Sequence, residues 1–332
     1  MASVSLSIDQ IGARIMISLS PYSIAIPTYN RGDLLIRLLD KINSEFPDEV
    51  QVFIRDNCSQ DKTLALVEEW INLHPKRSVS INRNEENIGI DKNILSVIQD
   101  CTTKWVKVFG DDDFFLPSLI PKITEFLISD YEEKTKLVFF NYCEITPTLE
   151  NQITERQILI HDDRYYQSGC EIVTDVAESL PLLSALLLER DSFLLSAKLI
   201  PKHIEVGGVG FVWAILDMLR NSESIFYAQP LIQWANGEPE RGFSWKRTVV
   251  VDFLWIVKDR CPKYLRRVKE RTISNQITPR MRMLSSNGTS WTNRLTVLSF
   301  LMKYYWEVPN FWINSVPRAV APYWLFRLRR FF

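Results

Sequence analysis

Several features are missing from this sequence, and each absence removes a class of protein. No CxxC pair occurs among the five cysteines (Cys58, Cys101, Cys143, Cys170 and Cys261), which are scattered and odd in number. Neither a zinc ribbon nor a disulfide framework is therefore expected, and a reducing cytosol fits best. No apolar run reaches the roughly 20 residues that a membrane span needs. The first 20 residues carry Asp9 and Arg14 and lack a long apolar core, so no signal peptide is expected and the segment reads as an N-terminal arm. Without such a signal, the sequons at Asn57-Cys58-Ser59 and Asn287-Gly288-Thr289 carry no meaning. A strong charge imbalance is missing too. Lys+Arg is 39 against Asp+Glu 40, a formal charge of -1, which argues against a protein that coats nucleic acid.

What is present is a core. The 332 residues are 46% hydrophobic, enough for one large domain plus an extension without disulfides or metals. Strand-like and helix-like stretches alternate from the start. Ser23 to Pro27 reads as a strand, followed by a helix with Leu34, Leu35, Leu38, Leu39 and Ile42 on one face. Val50 to Arg55 is a second strand, followed by a helix bearing Leu64, Val67, Trp70 and Ile71. Val79 to Ile81 is a third, followed by a helix with Ile94, Leu95 and Ile98. A fourth strand, Trp105 to Phe109, ends in Gly110-Asp111-Asp112-Asp113. Such alternation predicts a mostly parallel α/β sheet with helices on both faces and right-handed crossovers. The polar clusters Thr28–Arg31, Asp56–Ser59, Asn87–Asn93 and Asp111–Asp113 then fall at strand ends or in the loops that follow, on one rim of the sheet, where open α/β sheets bind ligands.

The triplet Asp111–Asp113 is the sharpest feature. Three adjacent carboxylates repel one another and persist only if water or a cation compensates. They read as a divalent-metal site for a phosphorylated ligand, or alternatively as a solvated acidic turn.

Four motifs in order, Ile26-Pro27-Thr28-Tyr29-Asn30-Arg31, Asp56-Asn57-Cys58-Ser59-Gln60-Asp61-Lys62-Thr63, Asn87-Ile88-Gly89-Ile90-Asp91-Lys92-Asn93 and Gly110-Asp111-Asp112-Asp113, resemble the nucleotide-sugar-binding half of a family 2 glycosyltransferase with the GT-A fold. Within that family the style resembles bacterial abequosyltransferase-like enzymes of O-antigen and surface-polysaccharide assembly. The resemblance implies that Mn2+ or Mg2+ neutralises the leaving diphosphate, with Asp113 on the metal, Asp111 towards the ribose or the metal shell, and Asp112 nearby. It implies that Asp56 accepts from the nucleobase, with a turn-organising aspartate as the alternative. Pro27, Thr28, Asn30, Arg31 and Asn57 would meet the nucleotide from the first two loops, although Arg31 could simply face solvent. Asn87, Gly89, Asp91 and Asn93 would shape the next wall. Gly89 suits a positive φ, and Asp91 serves equally well as a helix cap.

Past residue 120 the pattern is less regular. A helix over Ser118–Ser129 and a strand over Leu137–Tyr142 are expected. Further strands are expected at Arg156–Ile160, Phe193–Leu199, Ile225–Gln229 and Leu231–Ala235. Leu182–Leu188 reads as core, with lining of the site as the alternative. The family resemblance implies a catalytic base near the start of the helix after Gly207-Gly208, but Val212 stands there and takes no proton. Glu205 is the preferred substitute, ahead of Asp217 and His203. The loop Asn236–Trp245 offers Arg241 to a diphosphate and Phe243 or Trp245 to a sugar ring, or is an ordinary surface loop.

The expected layout is an arm over 1–20, a GT-A domain over 21–245 (donor half 21–120, acceptor half 121–245) and a helical region over 246–332. The last twelve residues mix aromatics with arginines and suit contact with an anionic membrane, or a docked or frayed end. The expected function is metal-dependent, inverting transfer of a hexosyl or deoxyhexosyl group from a nucleotide donor to a glycan or lipid-linked acceptor. The setting is cytoplasmic, peripheral on the inner face of the membrane. A non-catalytic nucleotide-sugar-binding or scaffold protein on the same fold is the alternative. A phosphatase or nucleotidyltransferase stands further off.

Overall fold

A computed structural model describes residues 20–145, 157–202, 204, 208–235, 252–279, 281 and 291–320. Strand β1 (Tyr22–Thr28) is buried at all seven positions, as befits a central strand covered on both faces. Helix α1 (Gly32–Glu45) buries Leu35, Leu38, Leu39 and Ile42, the face its spacing predicts. Next come β2 (Val52–Asp56), α2 (Thr63–Leu73), β3 (Val79–Arg83), α3 (Ile90–Asp100) and β4 (Trp105–Val108). These four strands pair in parallel in the order β3-β2-β1-β4. The chain thus builds outward from β1 on one side and returns to its other side with β4. The gap between the carboxyl ends of β1 and β4 is the topological switch point, where open sheets form a crevice.

The remaining strands make the sheet mixed. They are β5 (Phe114–Phe115), β6 (Thr135–Ile145), β7 (Arg164–Tyr166), β8 (Leu186–Glu189) and β9 (Glu223–Ala235). Beyond β4 the order runs β8-β6-β9-β5, with β7 also on β9. Strand β8 is antiparallel to β4 and β6, whereas β6 and β9 are parallel. Helix α4 (Leu119–Leu127) lies between β5 and β6, α5 (Arg190–Ala197) follows β8, and α6 (Gly210–Met218) precedes β9.

Three expectations need correction. Phe193–Leu199 is not a strand: its residues up to Ala197 belong to α5, whose first turn is capped by the Glu189 carboxylate accepting from Ser192 N–H at 2.9 Å. Leu195 and Leu199 are exposed, and the inward side of α5 is set by Phe193 and Ser196. The strand expected over Arg156–Ile160 is, in its described residues 157–160, an irregular segment hung on β6 by Gln157 N–H to Tyr142 O (2.9 Å) and Asn141 Nδ2 to Ile158 O (2.9 Å). The two strands around Pro230 are one, β9. Its register against β6 shifts between Phe140 and Tyr142, so Pro230 falls in an irregularity where its missing N–H costs no ladder bond.

Two compact units emerge. One comprises the described residues within Met1–Gly169 and Pro181–Arg241, the other those within Cys170–Leu180 and Gly242–Phe332. The second unit holds α7 (Phe253–Arg260), α8 (Leu265–Thr272), α9 (Trp291–Tyr305) and α10 (Val316–Val320). The segment 170–180, expected to belong with the sheet, joins these helices. Within this unit Cys170 and Cys261 are paired as a disulfide with Cα atoms 6.1 Å apart, which the scattered cysteine spacing did not suggest. The partners are 91 residues apart in sequence, so spacing alone carries no signal of the pair. Among the described residues no helix is long and apolar enough to cross a membrane.

Leu38 is fully buried. Leu38→Ala should cost about 2–5 kcal/mol of unfolding free energy in urea titrations. A loss below about 0.5 kcal/mol, the level of an exposed position, would contradict this packing.

Candidate functional site

The carboxyl ends of β1, β2 and β4 are tied together by side chains from the four polar loops. Thr28, the last residue of β1, donates its hydroxyl to Asp111 Oδ2 at 2.7 Å in a buried contact across the switch point. Arg31 Nη1 lies 2.8 Å from Asp111 Oδ1 and 2.7 Å from Asp112 Oδ2. Asp113 accepts the Ser184 hydroxyl at 2.6 Å, and Ser184 Oγ in turn accepts Gly110 N–H at 2.8 Å. Asp111 and Asp112 therefore share one guanidinium, while Asp113 turns to a separate hydroxyl partner. Gly110 suits this tight turn, since a Cβ there would lie 3.1 Å from Asp113 Oδ2.

Burial pushes the Asp111 carboxyl up from its ordinary pKa. Arg31 opposes that shift and Asp112 adds to it. Burial also weakens the Arg31 charge, but Asp111 and Asp112 outweigh it, so the guanidinium pKa rises. Beneath the triplet, Lys107 is fully buried on β4. Its Nζ donates to the carbonyls of Val108 (2.8 Å) and Ser184, and stands 4.0 Å from the Phe109 ring centroid. Burial drives its pKa well below the lysine range, against the pull of Asp113.

The neighbouring wall is built of asparagines. Asn57 Oδ1 accepts from Asn84 Nδ2 (3.0 Å) and from Ile88 N–H (3.0 Å), while its Nδ2 donates to Asn87 Oδ1 (2.9 Å). Asn84 Nδ2 also donates to Asn93 Oδ1 (2.9 Å), and Asn93 Nδ2 to the Arg55 carbonyl (3.1 Å). Asn30 adopts a φ of 54°, a left-handed conformation that asparagine tolerates, and accepts Gln60 N–H at 2.7 Å. Gly89 has the positive φ expected of it, 84°.

Together these loops bound a cleft of about 660 Å³. Pro27, Thr28, Asn30, Arg31, Asn57, Asn87 and Asn93 line it, as do Asp111, Asp112 and Asp113. Four expected residues stand outside the lining: Asp56, Asp91, Gly89 and Asp217. Asp56 is fully buried behind it, accepting Ser59 N–H (3.2 Å) and the Ser59 hydroxyl, with Arg83 Nε at 3.4 Å. Asp91 neither lines the cleft nor caps its own helix. Its Oδ1 accepts Phe211 N–H at 3.3 Å at the start of α6, and burial raises its pKa against the backbone N–H groups there. Gly89 also lies outside the lining, its N–H bonded to Asn87 Oδ1 at 3.0 Å. Val212 is fully buried in α6, and Asp217, later in that helix, is 3.8 Å from Arg220 and outside the lining. His203, Glu205, Arg241, Phe243 and Trp245 lie outside the described residues.

Several cleft residues escaped the sequence reading. Tyr29, Trp234 and Pro181 line the cleft; of the leucine run, Leu182 and Leu183 take the lining role kept as the alternative, while Leu186–Leu188 are the core expected. Ser184 and Asn84 are structural keystones with no sequence signal, because each meets partners distant in the chain.

Asp111 and Asp113 suit a magnesium-type ion in one respect. Such an ion takes one or two protein carboxylates and leaves the rest of its shell to water and phosphate oxygens. No cluster of three His, Cys, Asp or Glu ligands that could hold a metal ion occurs among the described residues. The Arg31 guanidinium between Asp111 and Asp112 is the cation the loop already holds.

A mixed sheet of this order, with an acidic loop at the switch point, defines the GT-A class of glycosyltransferase fold. Residues 23–172 match the family model described as Glycosyl transferase family 2. Abequosyltransferase RfbV of Salmonella typhimurium is 34% identical over 93 residues, 27% of this chain and 28% of that protein. The match thus spans little more than a quarter of this curated relative. S. aureus TarS 1-349 in complex with UDP superposes with a TM-score of 0.59 at 15% identity, covering 87% of this chain and 81% of that one. The mannosyltransferase PcManGT from Pyrobaculum calidifontis, in complex with GDP-Man and Mn2+, gives 0.50 at 16% identity, covering 90% and 84%. At these identities the likeness is one of fold.

The raised Asp111 pKa has a definite sign. Its contribution to the stability of the ligand-free protein is full below the unfolded value, near pH 4, and is lost as pH rises through the folded value. Asp111→Asn does not ionise, so urea midpoints should move in the variant's favour relative to wild type between pH 4 and pH 7. A difference that stays flat or runs the other way would contradict the burial-driven shift.

Proposed function

We propose that the protein is a glycosyltransferase that moves a sugar from a nucleoside diphosphate donor to a glycan acceptor with a divalent ion, Mn2+ or Mg2+, at Asp111 and Asp113. The convergence of Thr28, Arg31 and the acidic triplet in one cleft at the switch point carries this reading. The family match over 23–172 supports the chemistry, and the UDP and GDP-Man named with the two structural neighbours support the donor class.

When bound, the ion supplies positive charge to the departing diphosphate. Asp111, already held by Thr28, and Asp113, held by Ser184, would be its carboxylate ligands. Arg31 would turn from the carboxylates to a phosphate oxygen, a contact suited to a guanidinium. Asn57, Asn87 and Asn93 would face the nucleoside, with Pro27 and Asn30 shaping the loop beside it. Asp56 and Asp91 would act through the backbone they hold, fixing the second loop and the start of α6. Gly89 supplies the turn between them.

Inverting transfer needs a base within reach of the acceptor hydroxyl. Asp217, beside Arg220 and away from the cleft, leaves Glu205 as the first candidate. Arg241, Phe243 and Trp245 are assigned to the lid or acceptor side. The domain is taken to run over 21–245, and the acceptor to be a surface-polysaccharide or lipid-linked saccharide met on the cytoplasmic face of a membrane. The buried Val212 favours a second reading, a donor-binding protein without catalysis.

Asp113→Ala should lower transfer by about a hundredfold or more. It should also abolish the Mn2+-dependent rise in melting temperature given by nucleoside diphosphates and nucleotide sugars. Unchanged turnover in that variant would remove the site assignment. Donor binding by the wild-type protein without transfer or donor hydrolysis would support the non-catalytic reading.

A further inference from the structure

The second unit has a cleft of its own, about 440 Å³, that the donor chemistry does not use. Leu254 and Trp255 of α7 and Leu265 of α8 give it apolar walls. Three lysines converge on it: Lys258 of α7, Lys269 of α8 and Lys303 of α9. Lys269, 9% exposed, is committed to Glu307 at 2.5 Å. Lys258 and Lys303 have no ion-pair partner among the described residues. Two ammonium groups around an apolar cleft repel each other unless an anion joins them.

The surroundings say what kind of anion. Leu295, Met302 and Trp306 are exposed and recur at spacings of seven and four, so they form one stripe along α9 and its extension, next to Lys303. Trp312 and Ile313 are exposed just beyond. Scattered exposed apolar residues are ordinary, but five within nineteen positions beside a lysine cleft make a patch. The charge of the chain is also divided. Cys170–Leu180 and Gly242–Phe332 hold 17 Lys and Arg against 7 Asp and Glu, a formal +10. The remainder therefore carries -11 in a chain of net -1. Such asymmetry marks a surface for a polyanion or an anionic membrane. Leu295, Met302 and Ile313 offer no stacking face to a nucleic-acid base, whereas aliphatic and tryptophan side chains beside lysines suit the headgroup layer of a bilayer.

We infer that the C-terminal unit carries a site for the phosphate headgroup of an anionic lipid, with Lys258 and Lys303 on the phosphate and Met302, Trp306 and Ile313 in the interfacial layer. This inference is independent of the donor site, and it assigns no contact to residues 321–332; without their three arginines the unit still carries a formal +7. It supplies a membrane contact from helices that are part of the fold.

The test is co-sedimentation of the full chain with vesicles of phosphatidylcholine alone or mixed with phosphatidylglycerol. Binding is expected only to the mixed vesicles. Lys258→Gln with Lys303→Gln should weaken it about twentyfold. Trp306→Ser with Ile313→Ser should weaken it at all salt concentrations. All four side chains are exposed, so melting temperature and nucleotide-induced stabilisation should stay unchanged. Failure of wild type to bind the mixed vesicles, or full binding by the lysine variant, would overturn the inference. So would stabilisation by inorganic phosphate, or retention of single-stranded RNA, that depends on the two lysines while vesicles are ignored.

Discussion

The hydrogen bond from Thr28 to Asp111 is the contact on which the rest of the site depends. It spans the switch point between β1 and β4, and it holds a carboxylate that is only 5% exposed. A carboxylate so placed is disfavoured as an anion unless hydrogen bonds and an opposite charge meet it. Thr28 supplies the first and Arg31 the second. Because Arg31 also reaches Asp112, one guanidinium joins two of the three acids, and the third is held separately by Ser184. Adjacent carboxylates thus persist because Asp111 and Asp112 share the Arg31 charge while Asp113 has a hydroxyl partner of its own.

That arrangement needs both halves of the sheet. Thr28 and Arg31 come from the parallel half, but Ser184 lies just before β8, which runs antiparallel to β4. Lys107 makes the connection rigid by donating to the Ser184 carbonyl from inside the core. A buried lysine is costly, and its low pKa reflects that cost. Its carbonyl partners and the two nearby rings, Phe109 and Phe140, offset part of it. On the far wall, the asparagine network fastens the end of β2, the loop after β3 and α3 into one surface. Asp91 extends that surface to α6 by capping a helix more than a hundred residues away in sequence.

The parallel half was legible because its information is local. Leu35, Leu38, Leu39 and Ile42 recur at helical spacing, and β1 is apolar enough to be buried throughout. The polar clusters were visible as donors because they interrupt those patterns at strand ends. The later elements were harder to read. Phe193–Leu199 has strand-like composition, yet the Glu189 cap starts a helix. Pro230 looks like a break, yet an irregular register absorbs it. In both, a tertiary or capping contact overrides local preference. The Cys170–Cys261 pair was invisible for the same reason, since its partners are brought together by chain folding.

By itself the sequence determined the alternation of strands and helices, the rim on which the polar loops meet and the identity of the acidic triplet. These follow from periodicity and from the tendency of polar groups to collect where strands end, to which the buried Lys107 of β4 is an exception. Only the tertiary structure decided which groups compensate which. Arg31 went to Asp111 and Asp112, Ser184 to Asp113, Asp56 to Ser59, and Asp91 to α6. It likewise divided the lysines of the C-terminal unit into one that is paired and two that face an open cleft. The physical reason is that a charge's partner is fixed by distance and burial, and both are properties of the folded chain.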